Sequence, residues 1–161
     1  AKAIKNPRVR FLIWGDGDER PMLEQRVKDE NIGNVVFKGR VEKKFVPSIV
    51  SRSDLNYIDP FPDYVSKYGI SSKKLFEYFA GGKPILVQAR EQYNPVKTYH
   101  AGICLQSLTA TDLAAQIDAF AQMDEVEYQG YCVGASAAAK EFDFKKLTAT
   151  LMNVIEGTAK G

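Results

Sequence analysis

The sequence contains few of the residues that carry metal or redox chemistry. His100 is the only histidine, and the two cysteines, Cys104 and Cys132, lie in apolar contexts without a CxxC spacing. Because no cluster of His, Cys and Asp has the spacing of metal ligands, we expect no bound metal and no cofactor. We expect both thiols to be buried and reduced, as in a reducing compartment, and His100 to be structural.

The sequence also lacks an excess of one charge and any long apolar run. It has 22 Lys and Arg against 20 Asp and Glu, a net charge of +2, which does not indicate a nucleic-acid partner. No apolar run approaches the roughly 18 residues of a spanning helix, and the N-terminus shows no secretory signal pattern. We therefore predict a cytoplasmic chain.

The 161 residues, 45% of them hydrophobic, fit a single globular domain. Strand-like apolar runs alternate with segments of helical periodicity, which predicts an α/β fold with a doubly wound parallel sheet and a helical C-terminal tail. Strands are expected at residues 9–14, 34–38, 55–58, 84–88 and 102–106. Helices are expected at about 21–33, 43–52, 72–80, 111–121, 124–142 and 144–156.

Three helices are expected to bury an apolar stripe, and the first residues are expected to be helical. The stripes consist of Met22, Leu23 and Val27; Phe45, Val46, Ile49 and Val50; and Leu147, Leu151, Val154 and Ile155. Residues 1–7 read as the end of a helix.

Ligands of such a sheet bind at the carboxyl ends of its strands. Gly15 and Gly17 follow the first strand, but the third glycine of a dinucleotide fingerprint would fall on Arg20, and no Walker pattern occurs. Taken alone, this segment is therefore more typical of an ordinary turn.

The predicted helix that begins near residue 72 carries a stronger signal. Ser71, Ser72, Lys73 and Lys74 place hydroxyls, backbone N–H groups and two ammonium groups at one helix N-terminus, where a phosphate or diphosphate would be stabilised. Two solvated lysines are the alternative interpretation. Glu77 shares a side of this helix with both lysines, and its carboxylate could accept hydrogen bonds from the two hydroxyls of a ribose. A simple ion pair with a lysine is the alternative for Glu77.

Residues 74–85, KLFEYFAGGKPI, resemble the K-L-x-E-Y/A-x-A-x-G-K-P-[IV] block of retaining two-domain (GT-B) glycosyltransferases of family 4, the glycosyl transferases group 1. Residues 11–20 (FLIWGDGDER), 34–41 (NVVFKGRV) and 53–55 (SDL) resemble further segments of that family in the same order. The resemblance covers almost the whole chain.

The resemblance implies the C-terminal, nucleotide-sugar-binding domain of such an enzyme. The base would lie against the backbone of Gly39, Arg40 and Val41, the ribose on Glu77, and the diphosphate on the helix start from Ser72 to Leu75. Lys74 and Glu77 are the residues implied in catalysis. The implied nucleotide-sugar site comprises Gly15, Gly17, Gly39, Arg40, Val41, Gly69, Ser71, Ser72, Lys73, Lys74, Leu75 and Glu77.

The sequence departs from the family pattern in two ways. Gly69 occupies the position of the family's first glutamate, which leaves the sugar undefined, and the family's upstream strand and helix with a diphosphate-binding Arg and Lys do not precede Ala1. The chain is therefore expected to be a domain truncated at its N-terminus, whose partner is an absent N-terminal acceptor domain.

The resemblance also implies a context for the parent enzyme. It would be a bacterial enzyme of lipopolysaccharide, capsule or other polysaccharide synthesis, using a UDP- or GDP-sugar without a metal, in the cytoplasm or peripherally at the inner membrane face. A non-catalytic nucleotide- or phosphate-binding module is the alternative. A receiver-like protein with Asp16, Asp18 and Asp59 would leave Glu77 unexplained.

Overall fold

The computed structural model describes residues 1–59, 72–88, 93–106 and 109–158. In these ranges the strands are β1 (Phe11–Trp14), β2 (Val35–Gly39), β3 (Asn56–Ile58), β4 (Ile85–Gln88) and β5 (Gly102–Leu105). The helices are α1 (Arg20–Asp29), α2 (Val46–Arg52), α3 (Lys73–Ala80), α4 (Pro95–Thr98), α5 (Ala110–Phe120), α6 (Glu125–Glu141) and α7 (Phe144–Thr158). A 3-10 turn (Lys43–Phe45) precedes α2.

The strands pair in parallel throughout the described ranges. Strands β1 and β2 form one sheet, and β3, β4 and β5 form another in that order. The expected α/β class, with parallel pairing and a helical C-terminal tail, is confirmed. Among the described residues, the helix that the sequence did not predict is α4, a single turn that Asn94 caps and Pro95 begins.

The chain forms two compact units. The first unit comprises residues 1–46 and 107–124, and the second comprises residues 47–106 and 125–161. Sheet β1–β2 lies in the first unit and sheet β3–β4–β5 in the second.

The first residues of the first unit are turns, so the expectation of a helix there is wrong. The backbone N–H groups of Lys5 and Asn6 donate to the carboxylate of Asp118 on α5, at 2.9 and 3.0 Å. Because these N–H groups bind a carboxylate instead of helical carbonyls, the segment is tied to α5. Both hydrogen bonds lower the pKa of Asp118, and the one from Asn6 has the larger effect.

Helix α1 turns only Val27 of its expected stripe inward, where it is half-buried. Met22 is 61% exposed and Leu23 36%, and no residue of α1 is buried. The half-buried positions are Arg20, Glu24 and Val27, which share one side of the helix. An Arg20–Glu24 ion pair at 2.7 Å therefore occupies the side that a purely apolar pattern would assign to the core.

The expected stripe of α7 is exposed, and that around α2 is exposed at one of its four positions. The α7 side chains of Leu147, Leu151, Val154 and Ile155 are 41–59% exposed. Phe45 is 48% exposed, and the Nζ of Lys44 lies 5.0 Å from its ring centroid. Of the stripe around α2, Val50 is buried, while Val46 and Ile49 are half-buried. Periodicity identified these helices correctly, but burial depends on which elements cover them.

The core of the second unit surrounds β4. Ile85, Leu86 and Val87 are fully buried, as expected for a central parallel strand covered on both faces. Helix α6 packs against the backbone of His100 at Gly134, where an added Cβ would lie 2.2 Å from the carbonyl oxygen of His100. Only a glycine permits this approach.

An aromatic cluster fixes α3 within the second unit. Leu75 and Phe79 of α3 are fully buried. The ring of Phe142 lies 5.1 Å from that of Phe76 and 5.8 Å from those of Phe79 and Tyr99, between ring centroids. The inner face of α3 is therefore held firmly, which fixes the direction of its N-terminus.

Within the described ranges, no helix combines the length and the apolar character needed to cross a bilayer.

Candidate functional site

The N-terminus of α3 is formed by a capping serine. Ser72 has an extended backbone, and its Oγ accepts a hydrogen bond from the N–H of Leu75 at 3.3 Å. Of the two serines that the sequence places at this helix start, Ser72 is the N-cap, while Ser71 and Gly69 lie outside the described residues. The first N–H groups of a helix have no intrahelical partner, so those of Lys73 and Lys74 can serve a ligand.

The two lysines stay on the solvent side of this helix. Lys73 and Lys74 are exposed, while Leu75 and Phe79 are fully buried. The first turn contains no acidic residue. Positive charge from the side chains therefore adds to the positive end of the helix dipole, which makes this terminus suitable for an anion.

Glu77 is half-buried on the same helix. Among the ion pairs of the described residues, none joins Glu77 to Lys73 or Lys74, although the spacing would permit one. The simple ion-pair interpretation of Glu77 is therefore not realised in this structure. Burial, followed by the charges of Asp59 and Glu77, raises the pKa of Tyr78, the next residue of the helix.

The expected base-binding segment follows β2 in the first unit. Gly39 ends β2 with a φ of 72°, and its carbonyl oxygen accepts the N–H of Gly15 at 2.9 Å. The structure thus brings together Gly15, which follows β1, and Gly39. Gly17 and Arg40 are exposed, and Val41 is half-buried.

Arg20 is a residue of this region that the sequence reasoning missed as a contributor. Its Nη1 lies 3.2 Å from Asp16 Oδ1 and its Nε 2.7 Å from Glu24 Oε1. A Cβ added at Gly39 would lie 2.9 Å from Nη1, so the guanidinium covers Gly39 directly. The signal was present in the sequence as two acidic residues, each four positions from Arg20.

A second missed feature lies at the carboxyl ends of β3 and β4. The hydroxyl of Tyr57 donates a short hydrogen bond to Oε1 of Gln88, the last residue of β4. Burial, followed by the charge of Asp59, raises the pKa of Tyr57 to about 12. A polar residue at the end of an otherwise apolar strand was the signal for Gln88.

The histidine and the two cysteines pack against neighbouring side chains or lie half-buried. The imidazole of His100 lies against the ring of Tyr131, with 4.7 Å between centroids. Cys104 and Cys132 are half-buried and outside any disulfide, and the Sγ of Cys104 accepts a hydrogen bond from Asn94 at 3.1 Å. In the described part of the chain, no group of three or more His, Cys, Asp or Glu could hold a metal ion.

The described candidate residues fall into both units. Gly15, Gly17, Gly39, Arg40 and Val41 belong to the first unit, and the α3 start from Ser72 to Glu77 belongs to the second. Within each unit, the candidates follow the ends of parallel strands or begin a helix, as expected for an α/β ligand site.

A comparison with protein-family models finds no match. A search of curated protein sequences finds none either.

Solved structures resemble the chain over almost its whole length. Anabaena Alr3699/HepE, in complex with UDP, gives a TM-score of 0.77 at 17% identity over 97% of this chain and 43% of that one. Sucrose-phosphate synthase from Thermosynechococcus elongatus gives a TM-score of 0.73 at 16% identity, over 96% of this chain and 39% of that one. WaaG, a glycosyltransferase involved in lipopolysaccharide biosynthesis, gives a TM-score of 0.66 at 15% identity, over 92% of this chain and 38% of that one.

These similarities show that the chain has the Rossmann-like α/β fold of GT-B glycosyltransferases. The chain spans less than half the length of each of these three proteins.

Proposed function

We propose that the chain is the donor-binding part of a retaining glycosyltransferase that uses a UDP- or GDP-sugar. The observation that carries this proposal is the start of α3, where a capped, anchored helix N-terminus carries two exposed lysines and a half-buried glutamate that forms no ion pair with either lysine. The fold supports it, because solved structures with this fold include a glycosyltransferase and a complex with UDP.

In this proposal the diphosphate of the donor binds at the N-terminus of α3. Backbone N–H groups, the Ser72 hydroxyl and the ammonium groups of Lys73 and Lys74 stabilise its charge. Because the nucleoside diphosphate is the leaving group, negative charge increases on it as the glycosidic bond breaks. Fixed donors at this position would therefore stabilise the transition state more than the ground state. Ser71 and Gly69 remain proposed members of the same site.

Glu77 would bind the ribose. A carboxylate can accept one hydrogen bond from each of two vicinal hydroxyls, and the half-buried position of Glu77 strengthens such bonds relative to a solvated one. The base would contact the backbone of Gly39, Arg40 and Val41, with Gly15 and Gly17 in the adjoining turn.

The proposed parent enzyme is a bacterial hexosyltransferase of polysaccharide or lipopolysaccharide synthesis, in the cytoplasm or at the inner membrane face, and it needs no metal. A separate acceptor domain would complete it. The chain alone would then bind a donor without transferring sugar, and sugar transfer by the isolated chain would overturn this part.

Calorimetric titration of the chain with UDP, GDP, ADP and inorganic diphosphate tests the proposal. We expect UDP or GDP to bind most tightly, and Glu77→Gln to weaken that binding by about 1–3 kcal/mol, the range for a hydrogen bond to a charged group. Glu156→Gln removes the same charge from an exposed position on α7 and is the control.

Two results would contradict the proposal. Unchanged nucleotide affinity in Glu77→Gln would remove the ribose assignment. Diphosphate binding as tight as UDP binding would favour the alternative, a non-catalytic phosphate-binding module.

A further inference from the structure

The guanidinium of Arg20 lies at the carboxyl ends of β1 and β2, in the first unit. Gly39 ends β2, and its carbonyl oxygen accepts the N–H of Gly15 at 2.9 Å. A Cβ added at Gly39 would lie 2.9 Å from Arg20 Nη1. Ligands of α/β sheets bind at the carboxyl ends of parallel strands. Arg20 is therefore placed in the segment to which the proposed function assigns the base of the donor.

Two carboxylates fix the position of this guanidinium. Its Nε lies 2.7 Å from Glu24 Oε1, and its Nη1 lies 3.2 Å from Asp16 Oδ1. Glu24 makes the shorter contact, and its side chain is the less exposed of the two. Because the planar group is held at two of its nitrogens, its remaining N–H groups keep a fixed direction.

Arg20 keeps hydrogen-bonding capacity for a ligand. A guanidinium has five N–H donors, and the bonds to Glu24 and Asp16 use two of them. The other N–H groups have no partner among the described residues, and the side chain is 31% exposed. A Cβ added at Gly15 or Gly17 would meet no described atom within 4 Å, and the carbonyl oxygen of Gly17 accepts the backbone N–H of Arg20. The surface beside Arg20 is therefore open to a ligand.

The charge around Arg20 selects the kind of ligand. The positive charge of Arg20 faces two negative charges, at Asp16 and Glu24, so the three side chains together are negative. Asp18 and Glu19 are exposed in the same segment and add to this negative charge. A phosphate group would be repelled here. A neutral carbonyl oxygen can accept the N–H groups without this repulsion, since a guanidinium donates hydrogen bonds and accepts none.

We propose that Arg20 donates a hydrogen bond to a carbonyl oxygen of the donor's base, and that Glu24 is the positioning residue that holds it. This inference rests on the proposed function and names the residue that selects the base. Uracil and guanine carry ring carbonyl oxygens, which accept hydrogen bonds, whereas adenine carries an amino group at the corresponding position. Arg20 therefore favours UDP and GDP over ADP.

Titration of the full chain with UDP, GDP, ADP and inorganic diphosphate tests the role of Arg20. The variant Arg20→Met keeps an apolar stem but removes every side-chain donor. We expect it to weaken binding of the tighter of UDP and GDP roughly tenfold, the effect of losing a hydrogen bond to a charged group. Binding of ADP and of diphosphate should not change, because neither ligand has a base carbonyl oxygen.

Arg26→Met is the matched control. Arg26 lies on the same helix, and its Nε is 2.7 Å from Oε1 of Glu30, four residues further on. Each variant thus loses an arginine from an i,i+4 pair on α1, which costs little stability at an exposed position. Urea unfolding should show that both variants remain folded. Arg26→Met should leave all four affinities unchanged.

Glu24→Gln tests the positioning role. It leaves Arg20 in place but weakens the bond that holds the guanidinium. It should therefore lower the ratio of UDP or GDP affinity to ADP affinity in the same direction as Arg20→Met, and in the Arg20→Met background it should change this ratio no further. Glu30→Gln, which alters the partner of Arg26, is its control. A merely structural role of Glu24 would lower stability and leave the ratio unchanged.

The outcomes separate the two levels of the proposal. Failure of the unaltered chain to bind UDP and GDP overturns the proposed function and this inference with it. Binding of UDP or GDP that Arg20→Met does not weaken, or that Arg26→Met weakens equally, overturns only the inference. Equal weakening of ADP and diphosphate in Arg20→Met also overturns it, because the guanidinium would then act on the phosphates.

Discussion

The hydroxyl oxygen of Ser72 accepts the backbone N–H of Leu75, and this bond closes the first turn of α3. Leu75 itself is fully buried, so the same residue that completes the cap also anchors the helix in the core. The cap therefore links the stability of the second unit to the geometry of the proposed diphosphate site.

Replacing this cap should affect stability and nucleotide binding together. We expect Ser72→Ala to lower the free energy of unfolding by about 0.5–2 kcal/mol, the usual effect of losing an N-cap, and to weaken UDP binding. Urea unfolding and calorimetry measure the two effects. Thr109→Ala removes the equivalent cap of α5, whose Oγ1 accepts the N–H of Asp112 at 3.1 Å. It should lower stability similarly without changing UDP affinity, and equal loss of affinity in both variants would contradict the assignment.

The fold was largely predictable from the pattern of apolar runs. Ile85, Leu86 and Val87 form a continuous apolar run, as a strand covered on both faces does, and the structure buries all three. The single turn of α4 escaped prediction because its four residues are too few to show a helical period, although Asn94–Pro95 is a good helix start.

Burial of the helices was less predictable than their existence. Periodicity on α1 favoured Met22 and Leu23, but the half-buried side carries Arg20 and Glu24. Two oppositely charged side chains can lie on the inward side of a helix when they pair with each other. The spacing of apolar residues does not predict such a pair. The contact between the Arg20 guanidinium and Gly39 joins two segments that are distant in sequence. The spacing of residues along the chain does not predict such a contact.

The charge on Lys74 should give nucleotide binding a specific salt dependence. We expect Lys74→Ala to weaken UDP binding roughly tenfold at low ionic strength, because a charge-assisted contact to the diphosphate is lost. This difference should shrink as salt is added, since exposed charges are screened. Titrations over a salt series measure it. Lys97→Ala, an exposed lysine on α4, should behave like the unaltered chain, and a salt response of Lys74→Ala parallel to that of the unaltered chain would refute the contact.

Stability at high pH should depend on Tyr57. Burial, then the charge of Asp59, raises the pKa of Tyr57 to about 12 in the folded chain, above its value near 10 in the unfolded chain. The resulting stabilisation is fully present below about pH 10 and is lost as pH rises toward about 12. Urea unfolding across this range should show a shallower loss for Tyr57→Phe than for the unaltered chain. Identical slopes would contradict the shifted titration.

The contact between Gly39 and Arg20 should make Gly39 intolerant of a side chain. Gly39 has a φ of 72°, and an added Cβ would lie 2.9 Å from Arg20 Nη1. We expect Gly39→Ala to lower the free energy of unfolding by about 1–2 kcal/mol from backbone strain, with a further loss from displacing the guanidinium. Thermal or urea unfolding measures this change.

The double variant separates the two causes. Arg20→Ala removes the collision but leaves the strained φ of residue 39. Gly39→Ala should therefore lower the free energy of unfolding by less in the Arg20→Ala background than in the unaltered chain. The part of the loss that comes from backbone strain should remain. Gly33→Ala is the control, because its Cβ would meet no atom within 4 Å and its φ is not in the left-handed region. It should be close to neutral or slightly stabilising, since it reduces the entropy of the unfolded chain. An equal cost of Gly39→Ala with and without Arg20 would show that the guanidinium does not cover Gly39 in solution, and equal effects of Gly39→Ala and Gly33→Ala would contradict the strain as well.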